Sequence, residues 1–304
     1  AIDIPLSVQS IGDEAFRGCS SLKTLDIPNG ITYVGKSYSL YGCSSLSLIT
    51  IPENITSIGR SAFCGCSNLI SIVIPKSVTS IDAWAFGQCS GLTSIIIPES
   101  VTSIGYNAFS ECSSLLSIVI PSSVTSIGSN AFNSCSSLVS VVIPEGVTSI
   151  GNYAFTGCSS LTAIVIPDGV TGIGYSMFNN CTSLASIIIP DSVTSIGERS
   201  FYGCISLTSI DIPESVTSIG SYAFNECRDL KYIVIPEGVL SIGMWAFYNC
   251  SKLTYISLES AIPPELGLSP FYGTNNCPIY VPAESVDAYK TEWSDYASRI
   301  FAKD

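Results

Sequence analysis

The sequence predicts a parallel β-solenoid, and two registers that keep step along the chain predict it. Prolines stand at Pro5, Pro28, Pro52, Pro75, Pro98, Pro121, Pro144, Pro167, Pro190, Pro213 and Pro236, 23 residues apart except for one interval of 24 between Pro28 and Pro52. Cysteines keep the same step from Cys19 to Cys250, each followed three residues later by leucine, from Leu22 to Leu253. A fixed period of this length is the signature of a repeat array in which each coil buries its apolar face against its neighbours. The repeats span about residues 5–258, and residues from about 259 to 304 form a C-terminal cap. No linker or composition shift interrupts the period, so residues 1–304 read as a single domain.

Each coil opens on a buried strand. In Leu92-Thr-Ser-Ile95-Ile-Ile97-Pro98 the apolar side chains Leu92, Ile95 and Ile97 point inward. Pro98, which has no N–H for a ladder, ends the strand. Val101-Thr-Ser-Ile104 forms a second short extended segment, and Gly105 follows at a corner read as left-handed. Asp82 takes that glycine's slot, and Asp tolerates such angles better than most residues. The spacing Ala108-Phe109-x-x-Cys112-x-x-Leu115 suits one turn of helix. Stacked coils then give two parallel sheets and a column of helical turns.

The pattern L-x-x-I-x-I-P with A-F-x-x-C resembles the BspA-like leucine-rich repeat family of secreted and surface-attached proteins, and the likeness spans nearly the whole chain. It extends to the closing element. Phe271-Tyr-Gly leads to a last strand, Ile279-Tyr-Val281-Pro282, and Val286, Tyr289, Trp293, Tyr296 and Ile300 recur at helical spacing, as a helix that lids the core. The resemblance implies a curved solenoid, secretion or display at a cell surface, and adhesive binding to extracellular-matrix or surface proteins, with self-association a further option. The family is defined by packing residues and supplies no ligand motif to carry over. At the other end, Ala1-Ile2-Asp3-Ile4-Pro5 starts at the I-x-I-P step, which reads as a piece of a longer precursor.

Composition narrows the function classes. Charged residues are 12% of the chain, against roughly 25% in an average domain, and the net charge is −12. That balance opposes nucleic acid and anionic membranes, which are bound through Lys and Arg, and favours neutral or basic partners. No apolar run approaches the roughly 18 residues of a membrane span. With no histidine in the chain, Ser-His and Cys-His pairs are unavailable. No phosphate-cradling glycine loop or Gly-x-Ser-x-Gly elbow is present either. The chain reads as a non-enzyme with no cofactor. Of the 13 cysteines, eleven share one slot and point the same way, so they read as buried free thiols rather than as disulfides or a zinc site. Cys64 and Cys277 lie outside that column and are expected to be the reactive ones.

Four outward features could carry function. In the strand slot between the two inward isoleucines, six successive coils present Val73, Ile96, Val119, Val142, Val165 and Ile188, bounded by Thr50 and Asp211. β-branched residues suit any strand, but an exposed apolar stripe of this length reads as a partner-binding face. After each proline a turn ladder ends in five carboxylates, Glu145, Asp168, Asp191, Glu214 and Glu237. They serve as solvated turn residues, or as a weak calcium or basic-partner site. Third, Trp84, Tyr106, Tyr153, Tyr175, Tyr202, Tyr222, Trp245 and Tyr248 flank the Ala-Phe pairs, covering seams or stacking on sugars. Fourth, nine threonines from Thr32 to Thr217 repeat in the second strand, an array that an ice-binding surface would need flat. The reading that follows is a non-catalytic binding and adhesion module, with a passive spacer or a glycan-binding surface as the alternatives.

Overall fold

The computed structural model describes residues 2–31, 33–34 and 37–303; Thr32 of the threonine array lies outside them. The fold is a parallel β-solenoid of about 12 turns of some 23 residues, closed by a short C-terminal helix. The chain falls into two compact units, Ala1–Leu161 and Thr162–Asp304, each a run of the same coil.

In the first unit the outer-sheet strands are three residues long and pair in register: Ser71–Val73 with Ser94–Ile96, and Ser117–Val119 with Ser140–Val142. The middle residue of each is buried and its two neighbours are exposed, the two-residue period of a half-buried strand. A second sheet of five short strands runs from Ser57–Ile58 to Ser149–Ile150. Its isoleucines Ile58, Ile81, Ile104, Ile127 and Ile150 face the core. The second unit repeats both sheets, with Ala163–Val165 beside Ser186–Ile188 and a four-stranded second sheet that starts at Ser195–Ile196.

The third side of each coil departs from the expected turn of helix. Residues 106–111 form consecutive tight turns, in which Asn107 and Glu111 take left-handed backbone angles, φ 55° and 61°. Within the coil, Ser110 N–H donates to Asn107 O and Cys112 N–H to Phe109 O. The intervening N–H groups of Asn107, Phe109 and Glu111 donate to carbonyls of the next coil, at Ser129, Ala131 and Asn133. A continuous helix would turn all these donors back on its own coil. The solenoid instead gains a third inter-coil ladder, which pairs these backbone N–H groups across coils.

The glycine corner is also corrected. Neither Gly105 nor Asp82 has positive φ; the left-handed slot lies two residues further on, at Trp84, Asn107, Asn130 and Tyr153. Gly105 is needed for close approach, because a Cβ there would lie 2.6 Å from the carbonyl carbon of Asp82 in the coil before, and Gly128 stands in the same relation to Gly105.

Phenylalanine and cysteine build the interior column. Phe63, Phe86, Phe109, Phe132 and Phe155 stack nearly parallel at 5.3–5.5 Å in the first unit. Phe178, Phe201, Phe224, Phe247 and Phe271 stack at 5.1–5.7 Å in the second. The buried ladder thiols do more than fill space. The S–H of Cys89 donates to the carbonyl of Phe63 at 3.1 Å, and Cys112, Cys135, Cys227 and Cys250 bond the equivalent carbonyl one coil back at 3.1–3.2 Å. That carbonyl already accepts the N–H of its own coil's cysteine, as Phe63 O does from Cys66, so the thiol uses its second lone pair. All the cysteines are free.

In the cap, Val286–Glu292 is α-helical, but the helix stops there. Residues Ser294–Arg299 tighten into a 3-10 segment, and Ile300 enters a last parallel strand, Ile300–Ala302, against Ile279–Val281. The expected helix through Ile300 is therefore shorter. It still lids the core, with Tyr289 and Trp293 buried. The Tyr289 hydroxyl donates to Ser260 O at 2.9 Å and the Trp293 indole N–H to Pro264 O at 3.0 Å.

Candidate functional site

The structure turns all six residues of the Val/Ile slot outward: Val73, Ile96, Val119 and Val142 are 61–76% exposed, Val165 51% and Ile188 63%. Beside them the small-residue column, Ser71, Ser94, Ser117 and Ser140 in the first unit and Ala163 and Ser186 in the second, is exposed as well. This follows from the strand period: with Ile72, Ile95, Ile118 and Val141 committed to the core, the next residue can only face out.

In the first unit the stripe floors a groove of about 940 Å³. Val73, Ile96 and Val119 are on its floor, and the turn residues Glu53, Lys76 and Glu99 and the prolines Pro98 and Pro121 form one wall. The groove thus joins the apolar stripe to the start of the charged turn ladder, two features that the sequence keeps apart. Glu99 accepts a hydrogen bond from the Ser122 hydroxyl at 3.0 Å. Further aliphatic residues in the same unit, Ile70, Leu116 and Val139, are 46–59% exposed.

The acidic ladder is solvent-facing throughout. Glu145 in the first unit and Asp168, Asp191, Glu214 and Glu237 in the second are exposed. Among the described residues no group of three or more Asp, Glu, Cys or His side chains is arranged to hold a metal ion. The edge aromatics form one pair in the first unit and, in the second, a row in which Trp245 also meets Tyr248 at 5.8 Å. Trp84 meets Tyr106 edge-on at 6.4 Å. In the second unit Trp245 meets Tyr222 edge-on at 5.3 Å, and Tyr248 stacks on Tyr272 at 5.5 Å. The threonine hydroxyls are consumed internally: Thr79, Thr102, Thr125 and Thr148 each donate to the carbonyl of the threonine one coil back, at 3.2–3.5 Å.

Two expectations about thiols are overturned. Cys64 is 3% exposed and Cys277 5%. Gln88 of the next coil covers Cys64, its side-chain oxygen 4.0 Å from the sulfur, and burial, helped by the charge of Glu111, pushes the thiol up to about 11. Cys277 lies under Arg299, whose guanidinium donates to Cys277 O at 2.9 Å. Burial raises its thiol against the opposing pull of that charge. Among the cysteines only Cys19 is partly exposed, a ladder member that the sequence pattern groups with the inert ones.

Sequence comparison agrees with the geometry. The profile of the BspA-type leucine-rich repeat region (6 copies) matches residues 1–115, 79–208 and 173–290. The chain belongs to this family. A leucine-rich cell surface protein from Faecalibacterium prausnitzii is 32% identical over 83% of this chain and 83% of its own, with a TM-score of 0.51. A leucine-rich repeat protein from Bacteroides ovatus is 27% identical over 98% of this chain and 88% of its own, with a TM-score of 0.68. The pneumococcal vaccine antigen PcpA shares the fold at 21% identity and a TM-score of 0.63, over 98% of this chain and 85% of its own. No curated protein matches the chain.

Proposed function

We propose that this BspA-type repeat is a non-catalytic protein-binding module of a secreted or surface-displayed protein, and that Val73, Ile96, Val119 and Val142 in the first unit, with Val165 and Ile188 in the second, form its contact residues. The observation that carries this reading is the exposure of β-branched aliphatic side chains in six successive coils, three of them on the floor of a groove. Soluble proteins rarely leave an apolar surface such as the first unit's Val73, Ile96 and Val119 exposed without a partner. The partner is neutral or basic, given the net charge of −12 and the glutamates on the groove wall. Surface location is supported by the cell-surface relative, and no helix among the described residues is long and apolar enough to cross a membrane. The unbroken period through Leu161 and Thr162 supports reading the repeats as one functional domain.

The test is a capture experiment from extracellular-matrix and serum proteins, with the intact chain and the double variant Val119→Asp, Val142→Asp as bait. A carboxylate buried in a desolvated contact lacks a partner and costs several kcal/mol. Captured proteins should therefore bind the variant at least 100-fold more weakly in surface-plasmon measurements, and any self-association seen by sedimentation should vanish with it. The circular dichroism spectrum should stay unchanged. Equal binding by a folded variant would move the contact face elsewhere and favour the passive spacer.

A further inference from the structure

The C-terminal coils of the second unit carry a different outward surface. Tyr232 and Tyr255 replace the small residues of the serine column, and their rings stack at 5.5 Å and 10°. The next strand, Ile279–Val281, brings Tyr280 opposite Ser257, and its ring breaks the stack, standing at 62° to Tyr255 with centroids 6.2 Å apart. Phe301 on the last strand continues the row, 6.4 Å from Tyr280 and 50% exposed.

That rotation opens a hollow of about 430 Å³, floored by Val234 and Ser257 and walled by Tyr255 and Tyr280 on one side. The other side holds Glu259 and Lys303, whose ammonium donates to both carboxylate oxygens of Glu259. The Ser257 hydroxyl reaches the same carboxylate at 3.4 Å. The ion pair is part-exposed, with side chains 32% and 41% accessible, so its remaining donors and acceptors are open to a ligand.

The volume falls in the range of small-molecule sites, roughly 300–1,000 Å³, and the two-sided chemistry narrows the occupant. An aliphatic side chain would desolvate Glu259 and Lys303 without replacing their water. An anion would face Glu259 and the chain's net charge of −12, and a cation would compete with Lys303 for its carboxylate. A neutral polyol ring meets both sides at once. Its C–H face covers an aromatic ring, while each hydroxyl can donate to a carboxylate oxygen and accept from an ammonium. We propose that this hollow binds a neutral oligosaccharide, one pyranose lying in the corner of Tyr255 and Tyr280 with its hydroxyls on Glu259 and Lys303, and the next extending over Phe301.

The experiment presents the intact chain to an array of neutral gluco-, manno-, galacto- and N-acetylchito-oligosaccharides beside sialylated and sulfated ones, and measures Kd for any hit by calorimetry. The expected result is a hit among the neutral sugars. Tyr280→Ala should weaken it at least tenfold, and Glu259→Gln and Lys303→Ala several-fold each, with thermal unfolding of all three close to that of the parent. Val119→Asp, Val142→Asp should bind the sugar unchanged, which separates this site from the protein-contact groove. Should Tyr280→Ala lose its fold, Lys303→Ala, an exposed residue, carries the test alone. Absence of any neutral hit at millimolar concentration, hits confined to anionic sugars, or undiminished binding by folded Tyr280→Ala or by Lys303→Ala would overturn the proposal.

Discussion

The outer sheet face of the first unit and that of the C-terminal strands are built from the same kind of parallel strand and present opposite chemistry. One offers Val73, Ile96 and Val119 beside serines; the other offers Tyr232, Tyr255, Tyr280 and Phe301 beside an ion pair. Behind both stand a column of stacked phenylalanines and buried ladder thiols. The pairing of strands through backbone groups leaves their outward side chains unspecified, so a solenoid can change its surface from coil to coil while the interior repeats. The two regions then differ in surface alone, and their interiors should be energetically alike.

Raising the pH should produce the largest effect. Burial raises the ladder thiols in both units: Cys135 is pushed up to about 12, and Cys112, Cys204 and Cys227 lie well above the ordinary thiol range. In the unfolded chain these groups ionise at about 8.5. Between that value and the folded one the unfolded state binds fewer protons, so stability is intact below about pH 8.5 and falls above it, by about 1.4 kcal/mol per pH unit for each such thiol. With several thiols acting together, both regions should unfold cooperatively by about pH 11. Trp84 fluorescence follows the first unit and that of Trp245 and Trp293 the second, each in variants lacking the other tryptophans. Survival of one region at a pH that unfolds the other would show that the columns are not equivalent.

Cutting the aromatic column should cost less, and equally on each side. Phe132→Ala and Phe224→Ala each remove a fully buried ring and should destabilise by about 3–5 kcal/mol in urea unfolding, against about 0.5 kcal/mol or less for Ser126→Ala. A cost at Phe224 far from that at Phe132 would break the equivalence.

The smallest effect tests the thiol bond. Cys112→Ala and Cys227→Ala lose the S–H donor to Phe86 O and Phe201 O and should each cost about 1 kcal/mol. In the native parent a maleimide should modify Cys19 first and leave the buried thiols unreacted for the life of the fold, as mass spectrometry of the digested adduct would show. Rapid labelling of Cys64 or Cys277 would mean that Gln88 and Arg299 do not shield them.

The inward and outward slots are legible in the sequence because eleven copies of one pattern leave only one alternation that buries Ile72, Ile95 and Ile118 together. Legibility fails wherever a residue's role depends on the adjacent coil. Gly105 serves the approach of Asp82 in the coil before, the cysteine thiol reaches a carbonyl one coil back, and Cys64 is covered by Gln88 of the coil after. A pattern that is read along the chain carries no distance across it. The groove likewise combines slots that stand apart in the repeat and meet at its surface, as Ile96 and Glu99 do. The aromatic hollow is hidden for a different reason. Tyr280 joins the row through the pairing of Ile279–Val281 with Tyr255–Leu258, where the strict period has already ended, and Phe301 lies on a strand where the sequence predicts that helical spacing continues.

The third ladder has a consequence for how such a chain changes length. Along this ladder each coil of the first unit offers the next the same N–H donors and meets the same carbonyls there, from Trp84 N–H on Tyr106 O to Phe132 N–H on Ala154 O. Removal of residues 99–121 would join Pro98 to Ser122, residues already adjacent in slot order, and the new junction would present each neighbour with the donors and acceptors it had before. Copy number is then a heritable dimension of the molecule: recombination between coils at the gene level can shorten or lengthen the binding face in whole steps of 23 residues without inventing a new interface.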